Sequence, residues 1–183
     1  MKNITTPLTD KMIKSLKAGD QVEITGTLYT ARDAAHKKIH ETKKIPFPIK
    51  GEIIYYVGPT PARDGQIIGA AGPTTASRMD PYTEFFLKNG LKGMIGKGDR
   101  SPEVIKAIKK YKAVYFAAIG GAGALLSKYI YHVKTIAFHK LGTEAVRVLK
   151  VENFPVIVAI DSKGRNIYRK PCTMMVHGKG AKP

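Results

Sequence analysis

The sequence predicts an α/β domain built on a mixed sheet, and three observations carry that prediction. Strand-like and helix-like segments alternate through the middle of the chain, the order of a sheet covered by helices. Further strand signals cluster towards the ends. Ala113 to Ile119 is apolar throughout, as a central strand buried on both faces would be.

Each element has a local reason. Thr9 to Lys17 reads as a short helix with Ile13 and Leu16 on one face and Gly19 ending it. Gln21 to Thr30 alternates Val22, Ile24 and Leu28 with polar neighbours, the period of a half-buried strand. Arg32 to Glu41 reads as a helix with Ala35 and Ile39 inward and Ala34 at the margin of that face. Pro46 and Pro48 mark a loop. Ile53 to Val57 is a short apolar strand, ended by Gly58-Pro59-Thr60-Pro61. Gln66 to Ala71 reads as a strand leading into Gly72-Pro73-Thr74-Thr75. Pro81 to Lys88 is helical, with proline in the first turn, and Met94-Ile95 is a short strand. Ser101-Pro102-Glu103 opens a helix with a cap residue, a proline and an acid, and Val104, Ile105 and Ile108 form its inner face. After the Ala113 strand, a helix is expected from about Ala122 to Tyr131 and a strand at Ile136 to Phe138. Val146 to Val151 and Val156 to Ile160 read as two strands. Asp161-Ser162-Lys163-Gly164 is then a hairpin turn into Asn166-Ile167-Tyr168. The expected organisation is one domain over residues 1–170 and a Lys-, Gly- and Pro-rich loose tail over 171–183.

Four segments carry chemistry. Gly72-Pro73-Thr74-Thr75-Ala76-Ser77-Arg78-Met79-Asp80 puts two hydroxyls and a guanidinium in a turn before a helix. Turns and helix starts leave backbone N–H groups unpaired and add partial positive charge, a setting that suits a carboxylate. Thr30-Ala31-Arg32-Asp33-Ala34-Ala35-His36-Lys37 contains an Arg-Asp-x-x-His pattern. Gly90-Leu91-Lys92-Gly93-Met94-Ile95-Gly96-Lys97-Gly98 places a lysine between glycines. Gly120-Gly121-Ala122-Gly123-Ala124-Leu125-Leu126 joins the central strand to a helix. The last is not a dinucleotide fingerprint: counted from Gly121 and Gly123, the third glycine falls on Leu126. No Walker lysine follows.

These four motifs, in this order, resemble the class I (iron–sulfur) fumarase and tartrate dehydratase family. The similarity runs from about Gly19 to about Tyr168. Within the family the chain resembles the separate beta subunit, equivalent to the C-terminal domain of the single-chain enzymes. The resemblance implies a swivelling β/β/α three-layer domain, a topology that periodicity does not yield. It implies Thr74 as the catalytic base, with Arg32, Thr75, Arg78 and Lys97 binding substrate. For the glycine-rich turn, tight packing near the partner subunit is a better reading than nucleotide binding.

The residue types suit that chemistry. Dehydrating malate removes a weakly acidic C–H proton beside a carboxylate and expels hydroxide. It calls for cations on both carboxylates, a base at carbon and a Lewis acid at the hydroxyl. A threonine hydroxyl is a poor base unless its surroundings are cationic and dry. The plainer alternative is that Thr74 and Thr75 only close a turn or cap a helix. Arg78 suits a bidentate carboxylate clamp, or forms an ordinary salt bridge with Asp80. Arg32 and His36, four apart, would share a helix face. Asp33 either orients Arg32 or caps the helix. His36, a lone histidine beside lysines, reads as surface or structural. Lys97 is a carboxylate contact by resemblance and one of many surface lysines by composition.

Composition bounds the rest. The chain has 183 residues, 43% of them hydrophobic, enough for a sizeable core. No run approaches a membrane span and no apolar signal core opens the chain, so a cytoplasmic protein without membrane contact is expected. Cys172 is the only cysteine. A self-contained four-iron cluster normally needs several thiolates. The 4Fe-4S cluster that the resemblance implies would therefore be held by a partner alpha subunit, in a heterotetramer acting on a dicarboxylate (fumarate/malate or tartrate). The net charge of +17, from 31 basic and 14 acidic residues, ranks first as a solvated lysine-rich surface. It ranks second as a field drawing dicarboxylates to the site and third as a nucleic-acid surface.

Overall fold

The computed structural model describes residues 1–119 and 121–169. Seven strands form one sheet: β1 (Lys2–Thr5), β2 (Gln21–Thr30), β3 (Ile53–Tyr55), β4 (Gly93–Gly96), β5 (Val114–Ala117), β6 (Ile130–Ala137) and β7 (Val146–Ile160). Five α-helices lie between them: α1 (Asp10–Ser15), α2 (Asp33–Thr42), α3 (Asp80–Lys88), α4 (Pro102–Tyr111) and α5 (Gly123–Leu126).

The strands β2, β3, β4 and β5 run parallel and pair in that order. The long β7 runs antiparallel along β2 and, further on, along β5. Five strands thus close on themselves, with β1 added parallel to β2 and β6 antiparallel to β7. Side-chain alternation then sorts the interior into two cores. Ile53, Tyr55, Ile95, Val114 and Phe116 of the parallel strands meet Leu149, Val151, Phe154 and Val158 of β7 inside the ring. Ile54, Met94 and Tyr115, one residue out of phase, pack outward with Ala35 and Ile39 of α2, Phe86 and Leu87 of α3 and Ile108 of α4. The result is an antiparallel layer, a parallel layer and a helical layer, the three-layer order implied by the resemblance.

Local chemistry sets the boundaries. The Thr9 hydroxyl accepts from the Met12 N–H and the Ser101 hydroxyl from the Val104 N–H, capping α1 and α4. Leu16 lies one residue beyond α1 yet is buried with Ile13.

Several expectations are corrected. Gln66 to Ala71 is not a strand: Ala70 is instead tied to Thr60, whose hydroxyl accepts its N–H and whose N–H donates to its carbonyl. The helix after the glycines stops at Leu126 and passes through a 3₁₀ turn, Ser127–Tyr129, into β6, which begins at Ile130 rather than Ile136. The two terminal strands are one, bent at Asn153 (φ 51) opposite a register shift between Ile24 and Gly26. The turn at Asp161 is present, with the Gly164 N–H donating to the Asp161 carbonyl, but Ile167–Arg169 is a 3₁₀ turn rather than a strand. Strand β1 had no expectation attached to it. The tail at 171–183, Cys172 included, lies outside the described residues.

Candidate active site

In parallel α/β sheets, open or closed into a ring, ligands collect beyond the carboxyl ends of the strands. The predicted site residues gather there. Arg32 follows the end of β2, Lys97 follows β4, and the glycine-rich turn follows β5. The Thr74–Thr75 corner returns alongside the end of β3, where Pro73 bridges Val57 and the Thr74 N–H donates to the Tyr56 carbonyl at 2.7 Å.

The corner is fixed by its backbone. Thr75 and Lys97 are partners in a parallel bridge. The Lys97 N–H donates to the Thr74 carbonyl at 3.1 Å and the Ala76 N–H to the Lys97 carbonyl at 2.9 Å. Partners across a bridge project their side chains side by side, and both are exposed, whereas Thr74 is half-buried. Thr75 occupies the cap position of a 3₁₀ turn, Ala76–Met79, without its hydroxyl capping it. The turn is thus closed by main-chain bonds, and the cap expected of the threonines as their plainer role is not made by Thr75.

Glycines let the corner sit where it does. A Cβ at Gly96 would lie 2.9 Å from the Tyr56 ring and 3.0 Å from the Ala76 Cβ. A Cβ at Gly123 would lie 2.9 Å from the Gly72 nitrogen, and the Gly123 carbonyl accepts from the Ala71 N–H at 3.0 Å. Gly123 of the glycine-rich turn thus packs against the corner within this chain.

The two arginines are held by carboxylates from different parts of the chain. Asp33, in the first turn of α2, forms an ion pair with Arg78. Glu144, just before β7, sits 3.2 Å from a terminal nitrogen of Arg32 and accepts from the Ala34 N–H at 2.9 Å. Arg32 also lies over Gly58, where a Cβ would come within 2.6 Å of its guanidinium. The Arg32 Nε and one Asp33 oxygen are buried without a hydrogen-bond partner among the described residues. Three cations and two carboxylates therefore surround the corner.

These contacts revise four sequence readings. Asp33 neither orients Arg32 nor caps α2; it holds Arg78. Asp80 is not the partner of Arg78. It accepts from Arg100 Nε at 2.6 Å and from the Ser101 N–H at 2.8 Å, so it ties the start of α3 to the start of α4. Arg32 and His36 do not share a helix face, because Arg32 is the cap residue and its backbone is extended. His36 is buried among Tyr56, Tyr82 and Phe86. Its Nδ1 is 2.9 Å from the Arg32 carbonyl, which can only accept, so this nitrogen carries the proton. Burial lowers its pKa to about 4. His36 is structural, as read, but interior rather than on the surface.

Sequence reading missed Glu144 and Arg100. Glu144 is 110 residues from Ala34, with no periodicity to connect them. Arg100 is fully buried between the rings of Tyr56 and Tyr115 and donates to the Thr83 hydroxyl at 2.6 Å.

The corner is an open face. Cavities lie elsewhere: one of about 360 Å³ runs between Pro59–Pro61 and Gly142–Thr143, one of about 350 Å³ lies between Gln66–Ile68 and Ser127–Ile130, and an apolar groove of about 220 Å³ lies between Met1, Ile119 and Val156. Among the described residues, no three His, Cys, Asp or Glu side chains come together to hold a metal ion, and no helix is long and apolar enough to cross a membrane. The described residues do not fit a four-iron cluster.

A model of the fumarase C-terminus family matches residues 2–171. A Methanocaldococcus jannaschii protein provisionally named L(+)-tartrate dehydratase subunit beta is 42% identical over 173 residues, 89% of each chain. Fumarate hydratase 2 of Leishmania major is 40% identical over 166 residues, 87% of this chain and 29% of that one. The anaerobic class I fumarate hydratase of Escherichia coli K12 is 37% identical over 156 residues, 82% of this chain and 28% of that one. The chain thus spans less than a third of these two hydratases, but most of the M. jannaschii relative.

Proposed function

The chain belongs to the fumarase C-terminus family, and from that footing we propose that it is the beta subunit of a heteromeric iron–sulfur hydro-lyase hydrating fumarate reversibly to L-malate. The observation that carries this reading is the convergence of Thr74, Thr75, Arg78, Lys97 and Arg32 at the carboxyl ends of neighbouring strands. Nothing in the sequence spacing requires these separated segments to meet.

In this reading Arg32, Arg78 and Lys97 bind the two substrate carboxylates, and Thr75 donates a hydrogen bond. Thr74 takes the proton from carbon when malate is dehydrated. Neighbouring cations stabilise the alkoxide that base catalysis requires. The 4Fe-4S cluster belongs to a partner alpha subunit, because one cysteine cannot supply its thiolates. The open corner suits a site completed by that partner, and the assembly is taken as a heterotetramer. The subunit beta name of the M. jannaschii relative, 89% of which this chain covers, supports a division of the enzyme between two chains.

A second reading is favoured by one observation. The M. jannaschii relative matches along nearly its whole length and bears a tartrate dehydratase name. L(+)-tartrate is also a dicarboxylate and calls for the same clamps. An anaerobic assay of this chain, alone and mixed with a cluster-bearing partner, decides between them when fumarate and tartrate are run in parallel. Turnover is expected only in the mixture, and sedimentation gives its stoichiometry. Thr74→Ala is expected to lower kcat by at least about a hundredfold with assembly and cluster absorbance intact. Near-normal turnover by that variant would remove Thr74 from the mechanism.

A further inference from the structure

We propose that Glu144 is the positioning residue for Arg32, an inference that rests on Arg32 binding a substrate carboxylate as read above. Three observations support it. First, Glu144 makes a two-armed contact: one oxygen lies 3.2 Å from an Arg32 terminal nitrogen, and the other accepts from the Ala34 N–H at 2.9 Å. A carboxylate anchored on a helix N-terminus has a fixed direction, so its second oxygen holds the guanidinium at a fixed place.

Second, the turn that delivers Glu144 is itself braced. Arg147 donates to the carbonyls of Gly142, Thr143 and Ala145 at 2.7, 3.0 and 3.2 Å. The Thr30 hydroxyl donates to the Ala145 carbonyl at 3.3 Å and accepts from the Arg147 N–H at 3.0 Å. This brace joins the turn to the end of β2, two residues before Arg32. Third, Arg32 keeps donors in reserve. A guanidinium has five N–H groups, and among the described residues the ion pair of Arg32 is the one with Glu144, leaving further N–H groups of the terminal nitrogens for a ligand. Pressed against Gly58 on one side and held by Glu144 on another, Arg32 is oriented without being used up. A preset donor loses less freedom when it binds an anion, so Glu144 acts on substrate affinity through Arg32.

The test uses the assembled enzyme and whichever of fumarate and tartrate it turns over. Glu144→Ala is expected to raise KM about tenfold, the loss of one charge-assisted contact, while kcat stays within about twofold. That split marks loss of binding shared by ground and transition states. Glu144→Gln, whose amide oxygen still accepts from Ala34, is expected to fall between the two and remains a test should the alanine variant fail to fold. In an Arg32→Ala background, Glu144→Ala is expected to add no further rise in KM, because the two act as one unit. An unchanged KM in both single variants, or fully additive effects in the double variant, would overturn the inference. Wild-type assembly that turns over neither dicarboxylate would overturn the underlying reading and this inference with it. Wild-type turnover with indifferent Glu144 variants would overturn the inference alone.

Discussion

His36 is buried 4.7 Å from the Phe86 ring, with its Nδ1–H on the Arg32 carbonyl. An imidazole in that setting cannot take up a proton cheaply, and burial holds its pKa at about 4 against an ordinary 6.5. The linkage sign follows. A depressed folded pKa contributes stability that is present above the unfolded value and lost as pH falls towards the folded one. Between pH 6.5 and 4 the protein should lose up to about 3 kcal/mol through this one group. Thermal melting of wild type and His36→Gln across that range checks it: the gap between the two should close or invert as pH falls. A constant gap would mean that His36 is protonated in place. The Arg-Asp-x-x-His pattern thus has a mechanical meaning that spacing could not supply. The histidine fixes the backbone of Arg32, and the aspartate reaches Arg78, a residue of a different segment. The motifs named the candidate site residues. The pairings were hidden because they run between segments with no shared period.

At the scale of elements, legibility followed the strength of local chemistry. The strand Gln21–Thr30 alternates so regularly that its limits could be read off, and the cap at Ser101 placed one helix start. The segment at Gln66–Ala71 misled because two isoleucines beside small residues resemble a strand, yet Ile67 is exposed and the backbone is tied to Thr60. Asn153 in the left-handed region hid a continuous strand behind an apparent break. The glycine-rich turn makes an asymmetric prediction. At Gly123 a Cβ would press on the Gly72 backbone nitrogen at 2.9 Å, whereas at Gly72 the nearest atom would be the Gly123 Cα at an ordinary 3.5 Å. Gly123→Ala is therefore expected to cost about 1–3 kcal/mol by overpacking and to displace the Thr74 corner. Small displacements of catalytic groups lower turnover steeply. Gly72→Ala should melt within about 0.5 kcal/mol of wild type. Chemical denaturation of the two variants reads the difference directly, and equal losses would show that the turn and corner do not press on each other as described.

Across the whole molecule, closure of the ring by β7 could not have been foreseen, since it depends on one strand pairing with both β2 and β5. The charge of +17 was plain in the sequence, and its consequence belongs at this scale. A dicarboxylate approaching such a surface feels an attraction that extends about one Debye length, about 10 Å at 0.1 M salt and about 3 Å at 1 M. If the field assists encounter, kcat/KM of the assembled enzyme falls several-fold as salt rises, while kcat at saturating substrate holds steady. Screening of the proposed clamp by Arg32, Arg78 and Lys97 would also depress kcat/KM, so salt alone does not separate the two. Lys106 and Lys109 do. Both are exposed on α4, whose residues run away from the edge where Lys97 lies. Changing both to glutamate leaves the clamp untouched and weakens the field. A steering field predicts a lower kcat/KM for the double variant at low salt and convergence with wild type at high salt. Equal values at every ionic strength would make the lysines a solvated surface only, and would leave the three cations at the corner as the sole charges the substrate senses.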